Sequence, residues 1–319
     1  MNNSNSLNAV SAVLGAPAIS AIAGPTSSAG ATAHDIMEKM IAACVVTGAK
    51  PFPAMAHRMP FVSSANLLET PEISELAAMV AALRAPAIPA KAGAKLVTLM
   101  NVVLDESGSM SMGVAQTMKG YNDALATLRP SAEEIGCLVT QVVFSTTGRV
   151  IGKDLRAKDI VPLSNETYMP NGGTALFDTV AGVIKQMLAH PLANDDNTSI
   201  LLSITTDGDD TTSMTWKCNE MGEFRALMKA VSENDRWTVA LSGPDLALRK
   251  FADLMSVSPA NVAAFKPDSV ASRVVASGST VQAMGNYSAM RSSGMKKVDT
   301  MYAGTESNVT AMAILNAGK

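Results

Sequence analysis

From about residue 96 onward, apolar and polar positions divide the chain into segments that predict strands and helices in alternation. Residues 96–104 are mostly apolar on both faces, which is typical of a buried strand in a parallel sheet. Residues 137–144, 200–204, 237–241 and 262–265 predict further strands. Between the strands, stripes of apolar residues at spacings of three and four predict amphipathic helices. This alternation predicts an α/β fold with a doubly wound, mainly parallel sheet.

One predicted strand differs from the others in its connection. Residues 149–151 are separated from the strand at 137–144 by residues 145–148 alone. A link this short fits an antiparallel hairpin, whereas a parallel pair needs a long crossover. The sheet is therefore predicted to carry one antiparallel edge strand.

Composition divides the chain into a flexible leader (1–32), an N-terminal helical extension (33–95), an α/β domain (96–290) and a C-terminal tail (291–319). The leader is rich in Ala, Ser, Gly and Asn, which favours flexible chain. In the extension, Thr70 is predicted as the N-cap of a helix with Pro71 at its first position. The last helix of the α/β domain is predicted to be interrupted at Gly278.

Composition and charge limit the partners. The 319 residues are 47% apolar, enough to bury one large core. The net charge is −3 and the longest basic cluster is Lys296-Lys297, so we expect no nucleic-acid partner. No uninterrupted run of about 20 apolar residues indicates a membrane span. Cys44, Cys137 and Cys218 are far apart and predict buried free thiols in a reducing compartment, hence a cytoplasmic protein.

Oxygen-bearing side chains follow the predicted strands at the points where ligands bind to open α/β sheets. Asp105, Ser107 and Ser109 come directly after the strand at 96–104, Thr174 precedes a helix, and Asp207 follows a later strand. Each residue alone has a second explanation as a helix cap. All five together, in this order, favour a site for a divalent cation, since Mg²⁺ prefers oxygen ligands.

Neighbouring acidic residues are predicted to stay in solvent. Glu106 points away from Asp105 by strand alternation and is expected to be solvated. Asp209 and Asp210 form an acidic rim beside Asp207. Solvation of a loop is the favoured explanation for them, with tuning of the metal or selection of a basic partner surface as the alternative. Met110 and Met112 adjoin the site and are expected to belong to the core, with an adaptable contact surface as the alternative.

The set of oxygen donors resembles the metal-ion-dependent adhesion site of the von Willebrand factor A family (vWA, integrin I-like). That pattern is Asp-x-Ser-x-Ser, a distant Thr and a later Asp in Thr-Asp-Gly, and every position is present between residues 97 and 290. The resemblance implies an intact site for Mg²⁺, with Mn²⁺ or Ca²⁺ as alternatives. It implies direct contacts from Ser107 and Ser109, a state-dependent contact from Thr174, and mostly water-mediated contacts from Asp105 and Asp207.

The resemblance further implies a non-enzymatic, Mg²⁺-dependent protein-binding module whose partner donates Asp or Glu to an open coordination position. Similar proteins act as adaptors beside AAA+ ATPases of the MoxR type in assembly or remodelling. The alternative is a structural component of a phage virion or another large assembly, with a virion localisation. An enzyme is disfavoured because no Gly-x-Ser-x-Gly elbow surrounds Ser109 and no histidine is placed to serve it.

The helical extension allows one further hypothesis. It contains Glu69, Glu72 and Glu75, close together in the sequence. If the extension covered the metal face, one of these carboxylates would occupy the open coordination position as an internal ligand.

Overall fold

The computed structural model describes residues 67–90, 93–216 and 221–317. The chain divides into two units, Met1–Val62 and Ser63–Lys319, and all described residues belong to the second. The predicted leader and the first part of the helical extension lie outside the described residues, as do Cys44 and Cys218. Cys137 is a free, buried thiol, as predicted, and burial raises its pKa to about 12.

The described residues build a six-stranded sheet in the order β3-β2-β1-β4-β5-β6. The strands are β1 (Val97–Asp105), β2 (Cys137–Phe144), β3 (Gly148–Arg156), β4 (Thr198–Thr205), β5 (Trp237–Pro244) and β6 (Val262–Phe265). All neighbours are parallel except β3, which pairs antiparallel with β2 at one end of this order. The predicted mainly parallel sheet with one antiparallel edge strand is confirmed.

Helices cover both faces of the sheet. They are α1 (Leu76–Arg84), α2 (Val114–Ala126), α3 (Leu176–Leu188), α4 (Met221–Glu233), α5 (Leu248–Leu254), α6 (Val270–Ser292) and α7 (Glu306–Asn316). The side chains of β1 alternate between two apolar clusters. Leu99 and Val103 pack with α1, α3, α4 and α5, whereas Val102 and Leu104 pack with α2 and α6. Because β1 is buried on both faces, the doubly wound architecture is confirmed.

Helix α6 is continuous, whereas the sequence predicts an interruption at Gly278. A Cβ added at Gly278 would meet no atom within 4 Å, so this position lies in open space. The packing of α6 against α2 outweighs the low helix propensity of a single glycine, which amounts to roughly 1 kcal/mol. Among the described helices, α6 included, none is both long and apolar enough to cross a lipid bilayer.

The start of α1 differs from its prediction. Thr70 is not the N-cap, and a 3-10 turn at Ile73–Glu75 precedes α1. Glu72 is the N-cap of this turn, and its backbone N–H donates to Glu75 Oε1 at 3.0 Å. The segment before this turn is not helical, because its backbone groups are bound elsewhere. Leu68 N donates to Gly148 O, and Pro71 O accepts from the buried indole of Trp216.

The range predicted as a tail contains packed structure. Val298, Met301 and Tyr302 are buried in the cluster that also holds α2 and α6. Asn308, in α7, donates its side-chain N–H groups to Pro259 O and Val262 O. The polar character that predicts a tail thus partly reflects buried, hydrogen-bonded side chains. The domain boundaries themselves stay a prediction.

Candidate metal centre

The register of β1 and β4 brings the predicted ligands to one edge of the sheet. Leu104 pairs with Thr205 in a parallel ladder, so the residues that follow both strands lie at the same edge. Asp105 is the last residue of β1. Thr206 and Asp207 come directly after β4. This is the edge at which open α/β sheets place their ligands.

Three side chains are in direct contact at this edge. Ser107 Oγ lies 3.0 Å from Ser109 Oγ, and Ser109 Oγ donates to Asp207 Oδ1 at 2.6 Å. Ser109 is exposed, whereas Ser107 and Asp207 are buried. The three oxygen-bearing groups therefore form a row that opens to solvent at Ser109.

Asp105 lies beneath this row and is fully buried. Its Oδ1 accepts from Ser107 N at 2.7 Å, and its Oδ2 accepts from Thr206 Oγ1 at 2.6 Å. Burial raises the pKa of Asp105; the hydrogen bonds from Ser107 and Thr206 oppose this rise, and the nearby charge of Asp207 adds to it. A cation would stabilise the charged form of a buried carboxylate that has a second carboxylate nearby.

Thr174 is buried beside the row, and backbone contacts hold it there. Its carbonyl accepts from Thr211 N at 2.9 Å and from Thr212 N at 3.2 Å, in the loop that follows β4. Two residues earlier, Gly172 O accepts from Gly108 N at 3.1 Å. The loop before α3 thus lies between the loops after β1 and β4. Hydrogen bonds join the other four predicted ligands directly, and Thr174 is connected to them through this backbone.

The prediction for Glu106 is wrong, because its side chain is buried and paired. Arg149 Nη2 donates to Oε1 at 2.7 Å and to Oε2 at 2.9 Å, and Met169 N donates to Oε1 at 2.6 Å. The strand registers explain the pair. Glu106 N continues the β1–β2 ladder by donating to Phe144 O, and Arg149, in β3, lies opposite Val143 of β2.

The Glu106–Arg149 pair also positions the loop that leads to Thr174. Arg149 Nη2 donates to Thr167 O at 2.8 Å, and Asn171 N donates to Glu106 O at 2.9 Å. Sequence reasoning missed this positioning role, and the only sequence signal is an acidic residue next to Asp105 with an arginine in the hairpin.

Arg273 is the second residue that sequence reasoning missed. Its Nη2 donates to Asp207 Oδ2 at 2.6 Å, and the two side chains are 5% and 0% exposed. It lies in the first turn of α6. A single basic residue near a helix start gives no sequence signal for such a contact.

The acidic rim is only partly exposed. Asp209 is exposed and pairs with Lys250 at 3.0 Å. Asp210 is half-buried and accepts from Phe177 N, in the first turn of α3, and from Ser213 Oγ. Burial raises the pKa of Asp210, against the effect of these hydrogen bonds. Asp210 therefore fastens the loop after β4 to the start of α3.

Apolar side chains on the loops at this edge are exposed. Met112, in the loop after β1, is 47% exposed, whereas Met110 is buried in the core. Met214, after β4, and Leu246, after β5, are also largely exposed. The edge that holds the candidate ligands thus presents both oxygen donors and apolar surface.

The donor set consists of hydroxyls and carboxylates. Within the described ranges, no group of three His, Cys, Asp or Glu side chains is arranged to hold a metal ion. A cation at this edge would therefore need the hydroxyls of Ser107 and Ser109 as well as the carboxylates.

No model of a known protein family matches the sequence, and no curated protein matches it. Solved structures with a similar fold include a von Willebrand factor type A protein from Catenulispora acidiphila, 19% identical over 60% of this chain and 43% of that chain, with a TM-score of 0.39. The ArnB paralog VWA2 from Sulfolobus acidocaldarius is 13% identical over 59% of this chain and 46% of that chain, with a TM-score of 0.38. The manganese-loaded TRAP protein of Plasmodium vivax is 19% identical over 47% of this chain and 57% of that chain, with a TM-score of 0.35. At these identities the similarity concerns the fold alone, and the chain spans about half the length of each of these structures.

Proposed function

We propose that this chain is a protein-binding module that holds a divalent cation at Asp105, Ser107, Ser109, Thr174 and Asp207, with Mg²⁺ as the first candidate. The observation that carries the proposal is the row of touching oxygens from Ser107, Ser109 and Asp207. It lies above a buried carboxylate and opens to solvent on one side.

The spacing of the hydroxyls fits an octahedral cation. Mg²⁺ binds oxygen at about 2.1 Å, so two neighbouring ligands at right angles lie about 3 Å apart. Ser107 Oγ and Ser109 Oγ are 3.0 Å apart. Manganese and calcium use the same kind of donor, which makes Mn²⁺ and Ca²⁺ the alternatives.

The carboxylates fit an outer role. Asp105 already accepts hydrogen bonds from Ser107 N and Thr206 Oγ1, and Asp207 accepts from Ser109 and Arg273. These bonds favour neutral hydroxyls as the direct ligands and carboxylates that act through water. When bound, the cation supplies a positive centre that a carboxylate from outside can bind.

The surface around the candidate site supports a protein as the source of that carboxylate. The exposed side chains of Met112, Met214 and Leu246 offer apolar contact area at the same edge of the sheet. Flexible methionines suit variable partner surfaces, and interfaces combine apolar area with a few polar anchors. The partner would therefore present an Asp or Glu beside apolar side chains.

An internal ligand from the helical extension is not supported by the contacts of its glutamates. Glu69 and Glu75 both pair with Lys185, at 2.7 and 3.0 Å. Lys185 lies in α3, roughly 14 Å along the helix from its first residue, Leu176, at a rise of about 1.5 Å per residue. Glu69 and Glu75 are thus held well along α3, away from Thr174, and Glu72 caps the turn that ends at Glu75, so the proposal keeps an external partner.

A binding role is favoured over an enzymatic one by the position of His190. It follows the far end of α3, whose first turn lies beside Thr174, at a distance of roughly 20 Å along the helix axis. It is not placed to act as a base for Ser107 or Ser109. His34 and His57 lie outside the described residues.

The proposed partner is a protein of one particular class. Resemblance to vWA adaptors favours a AAA+ ATPase of the MoxR type, with the chain acting in the cytoplasm in assembly or remodelling. Immobilised full-length protein, incubated with extract of its native cell, is the direct test. Wild type in Mg²⁺ should retain a partner that chelator and Ser109→Ala release, because chelator removes the cation and the substitution removes one of its direct ligands.

Ser111→Ala is the matched control for this capture. Ser111 belongs to the same loop, is exposed, and donates to Gly108 O, so the variant makes the same chemical change outside the proposed ligands. It should retain the partner. A partner held equally by all three proteins, with and without chelator, would contradict metal-bridged binding. A captured virion protein in place of an ATPase would contradict the adaptor role.

A further inference from the structure

We infer that Arg273 is a built-in counter-cation that sets how tightly the site binds its divalent metal. The inference rests on the proposed metal site and adds a residue outside its ligand set. Its starting point is the contact between Arg273 Nη2 and Asp207 Oδ2, which at 2.6 Å joins two buried side chains.

Arg273 is fixed in place by several contacts besides Asp207. Its Nε donates to Pro267 O at 2.9 Å, and its guanidinium lies 5.5 Å from the centre of the Phe265 ring. Its Nη1 lies 3.5 Å from Met110 Sδ. These contacts and its burial place the guanidinium beside Asp207, so its charge belongs to the surroundings of the site.

Asp207 is shared between this charge and the candidate ligands. One of its oxygens, Oδ2, faces Arg273, and the other, Oδ1, accepts from Ser109. Of the other acidic residues at this edge, Glu106 is paired with Arg149 and Asp209 with Lys250, while Asp105 and Asp210 accept hydrogen bonds from neutral groups. Asp207 is thus the acidic partner that the structure gives to Arg273 at this site.

The charges at the site give two consequences. Asp105 and Asp207 would neutralise a bound divalent cation, and the guanidinium of Arg273 then adds one positive charge to this set of groups. Repulsion between the guanidinium and the cation weakens metal binding, strongly so in a buried environment where charges are poorly screened. The same excess charge strengthens the attraction for a carboxylate brought by the partner.

Calorimetric titration of the full-length chain with Mg²⁺ and with Mn²⁺ tests this inference. Arg273→Gln removes the charge and keeps a donor for Asp207, so it should tighten metal binding by about tenfold or more. Arg273→Lys keeps the charge and should bind metal with nearly wild-type affinity. Circular dichroism checks that each variant is folded. If Arg273→Gln does not fold, Arg273→Met replaces it, because the unbranched, apolar methionine side chain suits the contacts with Met110 and Phe265.

The outcomes separate this inference from the proposed function. Wild-type affinity, or weaker binding, in the folded neutral variants would overturn the role of Arg273, while loss of binding in Ser109→Ala would still support the site. A wild type that binds neither metal, together with Arg273→Gln that binds neither, would overturn both the site and the inference.

Discussion

At the scale of single residues, Glu106 carries a buried charge whose loss should be costly. Arg149 faces it with three donated hydrogen bonds, and both side chains are largely buried. Removal of one partner from a buried ion pair leaves the other charge uncompensated. Glu106→Gln should therefore lower the free energy of unfolding by about 3–5 kcal/mol, measured by urea denaturation.

The matched control for this prediction is Glu133→Gln. Glu133 is exposed, so the same substitution there should change stability by no more than about 0.5 kcal/mol. Equal stability of the two variants would show that the Glu106–Arg149 pair contributes little, and that another contact holds the loop before Thr174.

Some residues at this edge could be predicted from local spacing in the sequence, whereas others have roles that depend on partners far along the chain. Asp105, Ser107 and Ser109 were predictable because they follow a strand at fixed local spacing. Glu106 and Arg273 were not, since their partners lie 43 and 66 positions away along the chain. Whether an acidic side chain is solvated or paired depends on tertiary register, which local alternation does not contain.

At the scale of helices, the close packing of α2 on α6 gives a contrast between two glycines. A Cβ added at Gly120 would overlap the Cβ and Oγ of Ser277, whereas one added at Gly278 would meet nothing within 4 Å. Gly120→Ala should destabilise the fold by about 1–3 kcal/mol, because overpacking outweighs the gain in helix propensity.

Gly278→Ala, in the neighbouring helix α6, should change stability in the opposite direction. With no clash, it should stabilise the protein by up to about 1 kcal/mol through helix propensity. Thermal unfolding of both variants measures the difference. A stabilising Gly120→Ala would contradict the close approach of the two helices at Ser277.

Elements with strong local patterns were predicted well. Strands β2 and β6 have their predicted bounds. The short helix α5, Leu248–Leu254, was missed because seven residues hold too few turns for a stripe to stand out. Helix α7 was missed because polar residues make much of its contact with the core.

At the scale of the whole molecule, the sheet collects the candidate ligands at one edge. Parallel strands β1 and β4 lie side by side at the centre, so their following loops meet above the carboxyl ends. Alternation of strands and helices was enough to predict this architecture, and with it the convergence of Asp105 and Asp207. What occupies the site depends on charge and partner, which the fold does not specify.

The central claim is that Ser107 and Ser109, with Asp207, hold a divalent cation. Calorimetric titration with Mg²⁺, Mn²⁺ and Ca²⁺ measures it most directly, with Ser109→Ala as the test variant and Ser111→Ala as its control. We predict one site per chain in the wild type and in Ser111→Ala, and binding at least about tenfold weaker in Ser109→Ala, because a direct oxygen ligand is lost. Absence of binding at millimolar metal, or equal loss in Ser109→Ala and Ser111→Ala, would contradict the proposed site.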